Sequence, residues 1–227
     1  MSPSSGCVFS GEAKFYLCLL ALVLIGMSLI VPFDRLLHDY LLPLSNSRFA
    51  TLWAHGADFL GNGVVLIMLV VALSFLIFFR TGDKYIFRTY LIRATLAIGI
   101  TGVIGQILKF VIGRPRPGTG LDSWQISPFC TANDFHSFPS GHAASAFSVA
   151  LILCHYFPRL RYLWLAMALF VSLGRLVGQS HFLTDLVGSI VIALLVTDLV
   201  LNAKWKYSSF LFLRSHTIRS KTKARCA

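Results

Sequence analysis

Residues 174–189, GRLVGQSHFLTDLVGS, place an arginine, a histidine and an aspartate within twelve positions of a strongly apolar region. In hydrocarbon each such group costs about 2.5 to 3.5 kcal/mol, so a membrane segment seldom keeps them without a use. His181 and Asp185 are four residues apart and share one helical face. A carboxylate there can accept a hydrogen bond from one ring nitrogen and leave the other free as a nucleophile. The same pair can also act as polar glue between helices. Two further stretches carry comparable groups. In KFVIGRPRPG, 109–118, Lys109 lies in the last turn of a helix that Gly113, Pro115 and Pro117 stop, so Arg114 and Arg116 are held beyond it on a stiff, extended segment. Arginines there snorkel to headgroups, but the flanking prolines argue for fixed donor geometry. In FPSGHAASAF, 138–147, Ser140 reads as a helix N-cap, Gly141 permits close backbone approach and His142 lies in the first turn. Such a helix start binds phosphate-like anions.

Those groups need elements to hold them. Of the 227 residues 56% are hydrophobic and only 13% charged, against about 25% charged in a soluble domain. A single soluble core is thereby excluded. Six apolar stretches, near 15–31, 57–79, 89–112, 140–157, 161–179 and 182–203, approach the roughly 17 to 25 residues that cross a bilayer. They predict an all-α fold, a six-helix transmembrane bundle forming one domain over 15–203. A short N-terminal tail, 1–14, and a basic C-terminal tail, 204–227, flank it. The first stretch lacks a small-x-small cleavage site and reads as a retained helix rather than a secretion signal.

Thirteen of the twenty Lys and Arg residues fall on the side that holds both termini, which the positive-inside rule makes cytoplasmic. Of the six on the opposite side, Lys109, Arg114, Arg116 and Arg175 adjoin the three stretches above. All three stretches therefore meet at the outer face: helix three ends there, helix four begins there, and helix five passes to six. Cations and helix amides to hold phosphoryl oxygens, one histidine to attack and another to protonate the departing oxygen amount to phosphoryl transfer. The basic tail satisfies topology and touches anionic lipid; without a recognition fold it implies no nucleic-acid partner. Cys7, Cys18, Cys130, Cys154 and Cys226 have neither disulfide nor metal-ligand spacing. Glycines at 99, 102 and 105, and at 174 and 178, predict close helix approach. Trp124, Phe129, Phe135 and Phe138 in the long outer loop suit a membrane-surface belt, the reading favoured over a cover for the substrate headgroup.

The three stretches together resemble the signature of the type 2 phosphatidic acid phosphatase superfamily of integral membrane lipid phosphatases. Lys109, six residues and Arg116-Pro117 match its first part, and Pro139-Ser140-Gly141-His142 its second. Arg175, five residues, His181, three residues and Asp185 match its third. The motifs span 109–185, and the six-helix layout extends the likeness over nearly the whole chain. Gly174 departs from the pattern, standing where the family usually has serine.

The resemblance implies that His181 is the nucleophile that forms a phosphohistidine, oriented by Asp185, and that His142 is the general acid. It implies phosphate binding by Lys109, Arg116, Ser140, Gly141 and Arg175, with no metal and no cofactor; Arg114, Asp134 and His136 would stand at the rim. The substrate would be a phosphorylated membrane lipid: phosphatidylglycerophosphate, undecaprenyl diphosphate, phosphatidic acid or a lipid A type. The place would be a bacterial inner membrane, with the site facing the periplasm. A neutral His181 and a protonated His142 predict a bell-shaped pH dependence of turnover. A lipid-to-lipid phosphotransferase would use the same residues, and a non-catalytic lipid-phosphate binder or transporter would need only the cations.

Overall fold

The computed structural model describes the backbone of residues 11–203 and the side chains of 25–203. Both expected tails lie outside the described residues, apart from 11–14, which are helical. Seven helices and three short 3-10 turns, with no strand, make up the described chain. They are α1 (Gly11–Ser45), α2 (Arg48–Gly61), α3 (Gly63–Thr81), α4 (Lys84–Ile112), α5 (Gly141–Tyr156), α6 (Arg161–Val177) and α7 (Leu183–Asn202). Among the described residues the fold is all-α, as the apolar stretches predict. Among the described residues four segments are long and apolar enough to cross a membrane: Gly63–Thr81, Lys84–Thr119, Pro158–Val177 and Leu183–Asn202. Large apolar side chains such as Leu29, Val64, Phe79, Val103 and Leu199 are 60% or more exposed on the outside of the bundle. A multi-pass membrane protein presents such a surface to lipid.

Two boundaries differ from the sequence reading. α1 continues past residue 31 to Ser45, through Pro32 and Pro43. The stretch read as 57–79 begins at Gly63, and an extra helix, α2, precedes it. Asn62 makes that division. Its backbone is extended, and its side chain accepts from Val64 N at 2.9 Å, so one helix closes and the next opens at a single residue. Ser47 caps α2 in the same way, accepting from Ala50 N at 3.1 Å.

α5 is the innermost helix, packed against α4, α6 and α7. Its sequence, GHAASAFSVALILCHY, explains this: Ala143, Ala144, Ala146 and Ala150 let neighbours approach, and each is at most 5% exposed. Thr101 and Ser148 join α4 to α5 by a buried hydroxyl pair at 2.9 Å. Not every predicted glycine face is a packing face. Nothing lies within 4 Å of a side chain built at Gly99 or Gly102, both of which are exposed. Gly174 and Gly178 do pack closely, but against the unforeseen α2. Side chains at Gly174 and Gly178 would run into Ala57 and Ala54, and one at Gly61 would meet Val171 and His142.

The pattern of α2, RFATLWAHGADFLG, suits this seat. Ala50, Ala54, Ala57 and Gly61 recur along the face laid on α6. Trp53 stacks on Phe170 at 5.6 Å and donates to its carbonyl oxygen at 3.0 Å. Phe49, Leu52 and Phe59 face outward, each more than 60% exposed.

Candidate active site

The C-terminal ends of α4 and α6 and the N-terminal ends of α5 and α7 come together at one end of the bundle. α4 ends at Gly113, whose left-handed backbone (φ 61°) and lack of a side chain admit the Ser127 carbonyl against it. The extended segment beyond it lies beside the returning loop. Arg116 N donates to Asp134 O at 2.8 Å and Ser137 N to Arg114 O at 3.0 Å. Arg114 and Arg116, one residue apart from adjacency, are thereby sent to different surroundings.

Arg114 is 6% exposed and is not at a rim. It donates to Asp34 Oδ2 at 2.6 Å, Asp185 Oδ1 at 2.5 Å, Thr184 Oγ1 at 2.6 Å and the Ser123 carbonyl at 3.2 Å. Its guanidinium also lies 4.7 Å from the centre of the Phe182 ring. Asp34 accepts from Thr184 N and Oγ1 as well, so the N-terminus of α7 is tied to the middle of α1. Asp134 and His136 serve the loop: Asp134 through its carbonyl, and His136 through a 2.9 Å bond to Cys130 O. Arg116 is half-buried and held by Asn133, at 3.2 Å to the carbonyl and 3.4 Å to the side chain.

His181 is almost fully buried, and its Nδ1 lies 2.8 Å from the Ser137 carbonyl oxygen. A carbonyl can only accept, so Nδ1 carries the proton and Nε2 keeps its lone pair. The sequence assigned that bond to Asp185. Asp185 Oδ2 instead lies 3.6 Å from Nδ1, because it accepts from Ser137 Oγ at 2.6 Å and Phe182 N at 2.8 Å. The carboxylate therefore fixes the histidine through Ser137 and the first turn of α7. Burial pushes the His181 imidazole below the ordinary histidine range, and Asp185 opposes that shift.

Ser140 is fully buried at the N-cap of α5, and its Oγ makes no hydrogen bond among the described residues. Its side chain does not cap, so Oγ and the first amides of the helix are not committed to each other. Lys109 Nζ lies 3.7 Å from where a side chain on Gly141 would begin, over this helix start. Lys109 is within electrostatic reach of Arg116, Arg175 and Asp185, and His142 of Arg175, Asp58, His181 and Lys109. The eight residues picked out by the motifs thus gather around one helix N-terminus. Asp58, on α2, was not among them. Its Oδ1 lies 2.5 Å from Arg175 Nη1 and 3.2 Å from His142 Nε2, bridging the two. The sequence signal for Asp58 is its place directly after Ala57 of the close-packing stripe, an acid at the edge of a packed face, which required α2 to be seen as a helix. Among the described residues no group of three or more His, Cys, Asp or Glu is placed to hold a metal ion.

A model of the family described as the PAP2 superfamily matches residues 90–209, slightly more than half of the chain. The chain belongs to the PAP2 superfamily. Lipid A 1-phosphatase of Rhizobium johnstonii is 33% identical over 94 residues, 40% of this chain and 38% of that protein. The chain thus spans about two fifths of the length of the curated relatives it matches. A transmembrane PAP2-type phosphatidylglycerolphosphate phosphatase of Bacillus subtilis shares its fold with a TM-score of 0.61 at 24% identity, over 81% of this chain and 92% of that one. LpxE of Aquifex aeolicus does so at 0.56 and 22%, over 75% and 93%. Within this PAP2 chain, Gly174 has a steric reason. The place of a serine side chain is taken by Ala57 and the Trp53 indole, so α2 seats directly on α6 beside Arg175.

Proposed function

We propose that the protein hydrolyses a phosphate monoester or diphosphate on a membrane lipid, without a metal, through a phosphohistidine intermediate. Nε2 of His181 attacks phosphorus, the bond to the lipid oxygen breaks, and His142 gives that oxygen its proton. Water then attacks the phosphohistidine, His142 takes back a proton, and inorganic phosphate leaves as His181 is restored. Lys109, Arg116, Arg175, Ser140 Oγ and the Gly141 amide hold the three non-bridging oxygens as charge redistributes. Asp185 keeps Nε2 as the free nitrogen by way of Ser137, and Asp58 orients His142 toward the leaving oxygen.

The observation that carries this reading is the buried, unpaired Ser140 hydroxyl at a helix N-terminus with Lys109 above it. A neighbouring histidine whose Nδ1 is committed to a carbonyl completes it. The protein would lie in a bacterial inner membrane as a six-span bundle with both termini cytoplasmic and the site facing the periplasm. Its substrate would be phosphatidylglycerophosphate, undecaprenyl diphosphate, phosphatidic acid or a lipid A type; the lipid A 1-phosphatase relative supports the last of these.

The test is free phosphate released by purified protein in detergent with EDTA, offered these four lipids, with His181→Ala in parallel. Release from at least one lipid, lowered on the order of 10⁴-fold or more in the variant, is expected when a nucleophile is removed. A phosphorylated lipid acceptor in place of free phosphate would make the protein a transferase. Binding without either product would make it a lipid-phosphate binder.

A further inference from the structure

Asp34 stands on α1, outside the residues 90–209 that the family model matches, and it is 1% exposed. A buried carboxylate is retained only with partners, and Asp34 has them on both oxygens. Oδ2 accepts from Arg114 Nη2 at 2.6 Å and from Thr184 Oγ1 at 2.5 Å, and Oδ1 accepts from Thr184 N at 3.0 Å. Phe182 at the N-cap of α7 has no side-chain acceptor, so Asp34 satisfies this first-turn amide from α1 instead. Arg114 spans from Asp34, through Nη2, to Asp185, through Nη1. Two buried carboxylates thus share one guanidinium, and the three ions together keep one negative charge in excess. Without Asp34, Arg114 and Asp185 would form a neutral pair. His181 would then face cations without a balancing anion: Arg116 beyond α4 and Arg175 on α6, with His142 on α5. Of the remaining charged groups, Lys109 acts on Asp185, and Asp58 is bound to Arg175 and His142. His38 of α1 packs edge-on to Phe182 at 6.2 Å, with the exposed Asp39 at 4.0 Å from it.

We propose that Asp34 is a positioning residue for His181: it balances the charge of Arg114 and so leaves the charge of Asp185 directed at the ring. Asp34 meets neither His181 nor the phosphate cradle and acts through Arg114 and Thr184. Thr184 adjoins Asp185, so the same carboxylate also fixes the turn in which Phe182 N and Asp185 Oδ2 meet. Buried charges are little screened, so a change at one end of the guanidinium is felt at the other. α1 thereby belongs to the catalytic unit and does not merely flank it. The effect of Asp34 on turnover rests on the phosphatase reading; its effect on the ring does not.

The experiment titrates His181 itself by NMR, in the full chain in detergent with histidine carbon-labelled at Cε1. The signal missing from His181→Ala protein identifies the ring, and no substrate is needed. Unaltered protein is compared with Asp34→Asn and with the double variant Asp34→Asn, Arg114→Gln, and kcat/KM is followed over the same pH range. Asp34→Asn removes an anion and disfavours the imidazolium, so the ring's titration midpoint is expected to fall by about half a pH unit to one. The double variant removes one charge of each sign and keeps the excess of one negative charge, so its midpoint is expected to return to that of the unaltered protein. If Asp34 were only a brace, Arg114 would already cancel Asp185. Asp34→Asn would then lower the thermal unfolding midpoint without moving the ring, and the double variant would unmask Asp185 and raise the ring's midpoint. Either result overturns the proposal, as does a ring that titrates alike in all three proteins. The double variant decides the matter even if Asp34→Asn alone does not fold, since both buried charges leave together. A ring that shifts as expected while the acid limb of kcat/KM stays in place supports the role of Asp34 and removes His181 as the nucleophile.

Discussion

The two histidines of the site are held by opposite means. Around His181 every strong polar group is already satisfied: Asp185 by Ser137, Phe182 N and Arg114, and Arg114 in turn by Asp34, Thr184 and Ser123. The side chains of Asp34, Arg114 and Asp185 are at most 8% exposed. Around His142 the arrangement is open. Asp58 is 56% exposed, and Ser140 Oγ and Arg175 Nε have no partner among the described residues. A nucleophile benefits from the first setting, because its lone pair must point one way before substrate arrives. A proton donor and a phosphate cradle benefit from the second, because donors already committed within the protein would have to be released to bind an anion. The closed half therefore carries stability, and the open half carries adaptable recognition.

That contrast breaks most readily at Arg114. Arg114→Lys keeps a charge but replaces a planar fork that reaches both Asp34 and Asp185 with a single ammonium. One buried carboxylate loses its partner, which costs about 3 to 5 kcal/mol. A fall of many degrees in the thermal unfolding midpoint in detergent is expected, together with loss of phosphate release. An unchanged midpoint would show that the closed half is not what holds α1 to α7. Asp58→Asn probes the open half and is expected to do the reverse. The unfolding midpoint stays within a few degrees, since an exposed ion pair contributes little. Turnover drops about 10- to 100-fold, because His142 and Arg175 lose the carboxylate that places them. A large loss of stability with normal turnover would exchange the roles assigned to the two halves.

The same contrast decides what the sequence could show. The three motifs were legible because their residues serve one centre and recur at fixed spacing, and the helices because apolar runs this long have few alternatives. Asp34 and Asp58 were not, since each lies more than fifty residues before the partner it meets, Arg114 and His142 respectively. Asp34 does leave a trace, as an acid in the apolar stretch SLIVPFDRLL, where an unpaired charge would be costly. α2 was hidden because its outward face is nearly as apolar as a span, and only Asn62 marks the break. The substitution at Gly174 was visible, but its cause was not, because Ala57 and Trp53 approach it from an element that local sequence does not bring near. The Ser137 carbonyl that receives His181 Nδ1 is backbone, which no residue type announces. The aromatic loop divided: Trp124 and Phe129 are more than 60% exposed, as a surface belt requires, whereas Phe138 turns in against Gly188.

The smallest effect lies in the pH dependence, and its sign follows from the closed half. Burial lowers the pKa of His181 from about 6.5, and Asp185 works against that shift. A lowered pKa keeps the imidazole neutral to more acidic pH, so the acid limb of kcat/KM, where the nucleophile becomes protonated, falls below pH 6.5. Replacing Asp185 by Asn removes the anion that favours the imidazolium. The limb then moves further toward acid, by an amount short of the full burial effect, while the rate falls because Arg114 and Ser137 lose their acceptor. Measuring kcat/KM from pH 4 to 9 for both proteins reads the shift apart from the rate. A limb that stays where it was would mean that the Asp185 charge is spent on Arg114 and does not reach the ring 3.6 Å away. The closed half would then be a scaffold alone, with the Ser137 carbonyl setting the state of the nucleophile.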